Sequence, residues 1–214
     1  MKLAIFDLDG TLVNSLADIA EATNYAMREL GLPEHELSKF NYMVGDGLKM
    51  LIERALPDDK QDLYDKAVEL YNGYYGTHYT VKTSVYDGII EMLDKLKGRG
   101  ATLAVASNKT DFFTTDVISH YFGNDRFDIV LGKSADRPVK PDPAIICEIL
   151  DKLNAEKADC FMIGDTKIDI ETGKNAGIKT IGCLWGFRTR EELVGAGADF
   201  IAEKPSEISD ILSE

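Results

Sequence analysis

The chain has 214 residues, 44% of them hydrophobic and 29% charged, enough for one α/β domain of ordinary size plus an inserted subdomain with its own apolar contacts. With 37 acidic against 24 basic residues the net charge is −13, which argues against nucleic acid or an anionic membrane surface as a partner. No apolar run approaches the ~20 residues of a membrane span and the start carries no signal-peptide pattern, so the expected location is the cytoplasm.

Leu3 to Phe6 are four consecutive apolar residues, the run expected of a strand buried on both faces of a parallel sheet. Asp7 and Asp9 follow two residues apart, so on an extended backbone they project to the same side, and Gly10 allows a sharp turn. Two carboxylates at the end of a buried strand are costly unless a cation neutralises them or one takes up a proton, which points to a metal site. Asp-x-Asp-Gly alone reads equally well as a water-facing turn.

Ser15 and Asp18 make a capping-box-like start to a helix carrying Leu16, Ile19, Ala20, Thr23, Ala26, Met27 and Leu30, which Gly31 and Pro33 end. Further helices are expected over about 46–55 and 60–75, with no strand between Ser15 and Tyr79. Helices alone for that length suggest an inserted all-helical cap over 15–80, with an α/β core formed by 1–14 and 81–214. From Asp87 onward helix and strand alternate: helix from 87, strand 102–106, helix 111–121, strand 127–131, helix 142–153, strand 161–164, helix 168–176, strand 178–184, helix 189–196, a short strand at 200–201, helix 206–212. Such alternation predicts a doubly wound parallel sheet. Cys147, Cys160 and Cys183 are odd in number, far apart and in apolar surroundings, so buried free thiols are expected.

In an open α/β sheet the ligand lies beyond the carboxyl ends of the strands, so polar groups after Phe6, Ala106 and Gly164 are expected to share one crevice. Ser107 and Asn108 read either as a helix cap or as a phosphate cradle at a helix N-terminus. Lys140, ahead of Pro141-Asp142-Pro143, is either a solvated charge or an ammonium held by a restricted backbone. Asp165 and Asp169 lie one helical turn apart and face the same way.

The string Asp7-Leu8-Asp9-Gly10-Thr11-Leu12-Val13-Asn14-Ser15 resembles the first signature motif of the haloacid dehalogenase (HAD) superfamily, D-x-D-G-T-[LV]-x-[DN]-S, although many relatives carry Asp at the position of Asn14. Ser107 resembles the second motif, Lys140 the third, and Gly164-Asp165-Thr166-Lys167-Ile168-Asp169 the fourth. The resemblance implies a Rossmann-like core with a helical cap, Asp7 as nucleophile and Asp9 as general acid and base, with Thr11 in support. It further implies that Lys140 balances Asp7 and the transferring phosphoryl group, that Ser107 and Asn108 bind phosphate, and that Mg²⁺ is held by Asp7, Asp165 and the Asp9 backbone carbonyl, with Asp169 behind them.

Four stretches are similar to bacterial phosphoglycolate phosphatases: Asn14 to Ile19, Val44 to Leu48, Glu53 to Leu56 and Trp185 to Glu191. There Gly45 and Gly47 would let backbone N–H groups approach a substrate carboxylate with Lys49 nearby, or would simply start a helix. A carboxylate at Asp46 would repel glycolate unless it points away. The activity implied is Mg²⁺-dependent hydrolysis of a small phosphomonoester, 2-phosphoglycolate first, through an aspartyl-phosphate. A pyrophosphatase or a phosphosugar phosphatase or mutase of the same fold is the alternative, and a phosphate- or Mg²⁺-binding sensor or scaffold the non-enzymatic one. The helix from Ser15 holds no His to gate phosphoryl return in a mutase. A dehalogenase has no use for Asp9 or Mg²⁺. The expected partner is a small phosphate ester, with no nucleic acid or membrane, for a monomer or homodimer.

Overall fold

The computed structural model describes residues 2–213, and the chain divides into two units. One comprises the residues up to Val13 with those from Val85 onward; the other is Asn14–Ser84. The elements of the chain in order are β1 (Leu3–Phe6), β2 (Val13–Asn14), α1 (Leu16–Glu29), α2 (Leu37–Met43), α3 (Leu48–Ala55), α4 (Tyr64–His78), β3 (Ser84–Val85) and α5 (Ile89–Gly98). There follow β4 (Thr102–Thr110), α6 (Asp111–Phe122), β5 (Ile129–Lys133), α7 (Ala144–Leu153), β6 (Cys160–Gly164), α8 (Lys167–Ala176), β7 (Lys179–Cys183), α9 (Arg190–Gly195), β8 (Phe200–Ala202) and α10 (Ile208–Ile211).

The first unit is built on a six-stranded parallel sheet in the order β5-β4-β1-β6-β7-β8, and β2 and β3 form a separate two-stranded sheet. All four residues of β1 are buried, the environment their unbroken apolar run requires. Phe6 is level with Val105 of β4 on one side and Ile163 of β6 on the other. The carboxyl ends of the three central strands therefore stand side by side. The chain order also reverses direction across the sheet at β1, the place where α/β sheets open a crevice. One face of the sheet is closed by α7, whose Ile145, Ile146, Ile149 and Leu150 recur at helical spacing and pack against Leu3, Ile5, Ala104 and Met162.

Several local features differ from expectation. β4 does not stop at Ala106 but continues to Thr110, and its register with β5 shifts between those two residues. Ser107, Asn108 and Lys109 thus sit on an irregular strand end rather than on a helix cap. α5 begins at Ile89 instead of Asp87, because Gly88 is in the left-handed region with φ +83°. α2 was not expected; it buries only Phe40 and Met43 and is too short to show a helical period. Of the three free cysteines, Cys160 and Cys183 are buried and Cys147 is half-buried.

In the second unit α1 packs along α4, with Tyr25 stacked on Tyr74 at 4.6 Å between ring centres. Ser15 makes no side-chain cap bond at the start of α1, and Asp18 does not complete a capping box. Instead the buried Asp18 carboxylate accepts the backbone N–H groups of Lys82 at 2.9 Å and Thr83 at 2.8 Å, and the Thr83 hydroxyl at 2.7 Å. This one acid ties the first helix of the unit to its last residues. Asp18→Ala would strand these donors, and its expected cost is about 3 kcal/mol of unfolding free energy in a urea titration. A loss below about 0.5 kcal/mol, the size of an ordinary surface change, would contradict the tie.

Candidate active site

Lys140 lies between β5 and α7, ahead of a cis peptide to Pro141, and is 3% exposed. An ammonium has three protons to give, and this one finds three acceptors: Asp7 Oδ1 at 2.8 Å, Asp169 Oδ1 at 2.7 Å and the Ala106 carbonyl at 2.9 Å. Those acceptors stand just past β1, in the first turn of α8 and within β4 respectively, so one cation joins three elements. Its backbone is held as well, because Lys140 N–H donates to Asn108 Oδ1 at 2.8 Å and Asn108 Nδ2 donates to the Lys140 carbonyl at 3.2 Å. Burial works against the charge on Lys140, but Asp169 and Asp7 outweigh it and push the ammonium above its ordinary value.

Beyond Asp7 the chain turns sharply. The Leu8 carbonyl accepts the N–H groups of Thr11, Leu12 and Val13, which brings the Thr11 hydroxyl to Asp165 Oδ1 at 3.1 Å. Asp165, at the end of β6, is 0% exposed, and its other oxygen accepts the Phe187 N–H at 2.7 Å. Asp169 uses Oδ2 to accept the Thr166 N–H at 3.1 Å and hydroxyl at 2.9 Å, so it completes the capping box of α8 while Oδ1 serves Lys140. Gly164 makes this possible, since a Cβ there would fall 2.2 Å from Asp169 Cβ.

Asp7, Asp165 and Asp169 each offer an oxygen within 4.8 Å of the others'. Three buried carboxylates thus lie together beside one ammonium, which is bonded to Asp7 and Asp169. Burial is the main force that pushes Asp7 up to about 7, with Asp169 and Asp9 adding to it against Lys140. Asp165 is pushed well up, first by burial and then by Asp169 and Asp7. Negative charge is therefore in excess here, and an all-oxygen donor set of this kind fits a hard divalent cation such as Mg²⁺.

The Asp9 side chain goes elsewhere. Both its oxygens accept from Lys109 Nζ at 2.9 Å, and the pair is largely buried. Lys109 was not singled out from the sequence, where it falls between a strand expected to end at Ala106 and a helix expected from Asp111. The signal was the period of two, which puts Lys109 on the same side of β4 as Ser107 once the strand is known to continue. Ser107 is buried and its Oγ accepts the Lys109 N–H at 3.2 Å. Asn108, expected to bind phosphate, uses its side-chain amide to clamp Lys140. Gly45, Gly47 and Lys49 belong to the second unit. Gly45 and Gly47 have φ of +121° and +86°, with Gly47 directly before α3. Lys49 is 67% exposed along its side chain and pairs with Glu53 at 3.7 Å. The Asp46 carboxylate is met by Arg54 at 2.6 Å, which balances its charge within the unit.

Residues 4–183 match the profile of the haloacid dehalogenase-like hydrolases. The chain belongs to this family. A phosphoglycolate phosphatase of Aquifex aeolicus (strain VF5) is 33% identical over 212 residues, covering 99% of this chain and 97% of that one. A second, from Vibrio parahaemolyticus serotype O3:K6, is 31% identical over 220 residues, with 100% and 96% covered. Among solved structures, a candidate phosphoglycolate phosphatase from Lactobacillus delbrueckii subsp. bulgaricus superposes with a TM-score of 0.94 at 28% identity, covering 99% of this chain and 98% of that one. The hydrolase has no helix, among the described residues, long and apolar enough to cross a membrane.

Replacing Lys140 by Met removes the ammonium bonded to Asp7 and Asp169, and breaking a buried pair in this way costs about 3–5 kcal/mol. Without the ammonium, burial raises Asp7 further above its unfolded value. Its proton is then retained by the folded chain alone, and stability falls as pH rises from the unfolded carboxylate range through 7. Urea titrations of Lys140→Met should therefore show a larger deficit at pH 8 than at pH 5; a deficit independent of pH would contradict this account.

Proposed function

We propose that this hydrolase is a Mg²⁺-dependent phosphomonoesterase that works through an aspartyl-phosphate on Asp7, with 2-phosphoglycolate as its substrate. The observation that carries the reading is the buried Asp7 carboxylate held on one oxygen by Lys140, beside Asp165 at the mouth of the sheet. The choice of substrate rests on relatives of 31–33% identity that match almost end to end and are phosphoglycolate phosphatases.

Asp7 attacks phosphorus, the bond to the leaving alkoxide breaks, and Asp9 supplies the proton that the leaving oxygen needs. To do so Asp9 must come off Lys109. In the second half Asp9 takes a proton from water as that water attacks the phosphorus of the aspartyl-phosphate, and the bond from phosphorus to Asp7 breaks to release inorganic phosphate and the free carboxylate. Asp7, Asp165 and the Asp9 backbone carbonyl would hold Mg²⁺, with Asp169 behind them, and the metal would neutralise charge at the phosphoryl oxygens. All three Lys140 protons are engaged with protein acceptors, so Lys140 acts on the phosphoryl group as a charge at short range and as the orienter of Asp7. Ser107 offers the hydroxyl for a phosphoryl oxygen, while Asn108 keeps Lys140 in place.

The test is phosphate release from 2-phosphoglycolate, sugar phosphates, nucleotides and pyrophosphate, with and without Mg²⁺. The highest kcat/KM is expected for 2-phosphoglycolate and only with the metal. Asp7→Asn should fold normally and lose at least about a thousandfold in kcat. Near-normal turnover by Asp7→Asn would overturn the nucleophile, and a better ester or pyrophosphate would overturn the substrate.

A further inference from the structure

Trp185-Gly186-Phe187 follows β7 and takes no part in the chemistry above, yet it closes directly on the loop after β1. The indole Nε1 of Trp185 donates to the Thr11 carbonyl at 2.9 Å. Two residues on, the Phe187 N–H donates to Asp165 Oδ2 at 2.7 Å, while the Thr11 hydroxyl donates to Asp165 Oδ1 at 3.1 Å. Each oxygen of Asp165 is therefore oriented by a different loop, and the indole N–H joins those two loops to each other.

The space between them admits only backbone. A Cβ on Gly186 would lie 2.2 Å from Asp165 Cβ and 2.4 Å from the Gly10 carbonyl. A Cβ on Gly10, whose φ is +94°, would lie 2.3 Å from Asp165 Oδ2. Asp165 is thus walled by two glycine backbones, and its aim depends on the spacing of the loops that carry them. An indole N–H can only donate, so the Trp185–Thr11 bond is a one-directional tie across that spacing.

We propose that Trp185 is a positioning residue for the metal site, holding Asp165 in the orientation that binds Mg²⁺ by fixing the β7 loop to the Thr11 carbonyl. The proposal rests on the Mg²⁺ reading above, because it assigns Trp185 a role only through Asp165. Phe at this position would keep most of the apolar bulk and lose the N–H alone. Groups that orient metal ligands typically contribute about 10- to 100-fold to metal affinity.

The test is calorimetric titration of Mg²⁺ into the wild-type protein and into Trp185→Phe, without substrate, alongside the far-UV spectrum and thermal midpoint of each metal-free protein. Binding weakened about 10-fold or more, with spectrum and midpoint little changed, is the expected result. Equal affinity of the two proteins would overturn the role of Trp185 while leaving the metal in place. A wild-type protein that binds no Mg²⁺ would overturn the metal reading and this proposal with it. Should the variant fail to fold, the wild-type indole serves instead, since it is the single Trp of the chain. Its emission is expected to change on Mg²⁺ addition with a midpoint at the calorimetric Kd, and emission unmoved by saturating Mg²⁺ would overturn the tie.

Discussion

The ammonium of Lys140 is the constraint on which the site depends, because it is shared by carboxylates that arrive from opposite ends of the chain. Asp7 comes from the first strand and Asp169 from a helix 162 positions later, and neither could be buried at this place without a cation. The third acceptor, the Ala106 carbonyl, brings β4 into the same bond set. This arrangement explains why Lys140 is itself so closely clamped. Its backbone is bonded in both directions by Asn108, so that a long, flexible side chain reaches its acceptors from a fixed root. It also leaves the site unbalanced. One ammonium cannot neutralise Asp7, Asp165 and Asp169 together, and Asp165, which accepts from a hydroxyl and an amide N–H, bears the consequence.

A second layer of order comes from residues that touch no reacting atom. The capping box between Thr166 and Asp169 shows one carboxylate serving a helix end with one oxygen and Lys140 with the other. Local helix propensity and site geometry here agree, which is the mark of a sequence whose levels support one another. At Asp9 a different solution appears, with Lys109 providing a private counter-ion away from the three-carboxylate cluster. The two acids of the opening motif are thus paired with separate lysines although they stand two residues apart. That separation suits two different tasks in a single reaction.

Much of the α/β unit was legible in the sequence, because the parallel sheet depends on apolar runs such as Leu3–Phe6 and Cys160–Ile163 that few other structures explain. The convergence of Asp7 and Asp165 followed from the rule that strand ends share a crevice, whereas the place of Lys140 beside Asp7 followed only from the family resemblance. What escaped has physical reasons. β4 runs on through Ser107-Asn108-Lys109, polar residues with no strand pattern, because site contacts and not apolar packing hold them. Lys109 was hidden with it. Asp18 looked like half of a capping box, but Thr83, 65 residues away, offers it better donors than its own helix does. The Trp185–Thr11 bond spans 174 residues and leaves no trace in local composition.

The central claim is that the buried negative charge left over by Lys140 takes a divalent cation between Asp7 and Asp165. Anomalous scattering from crystals soaked in Mn²⁺ addresses this most directly. The account predicts a single strong peak within about 2.0–2.3 Å of a carboxylate oxygen of each of these two residues, with Lys140 still bonded to Asp7 and Asp169. No peak there, or one that appears only where the Lys140 ammonium has swung out, would contradict it.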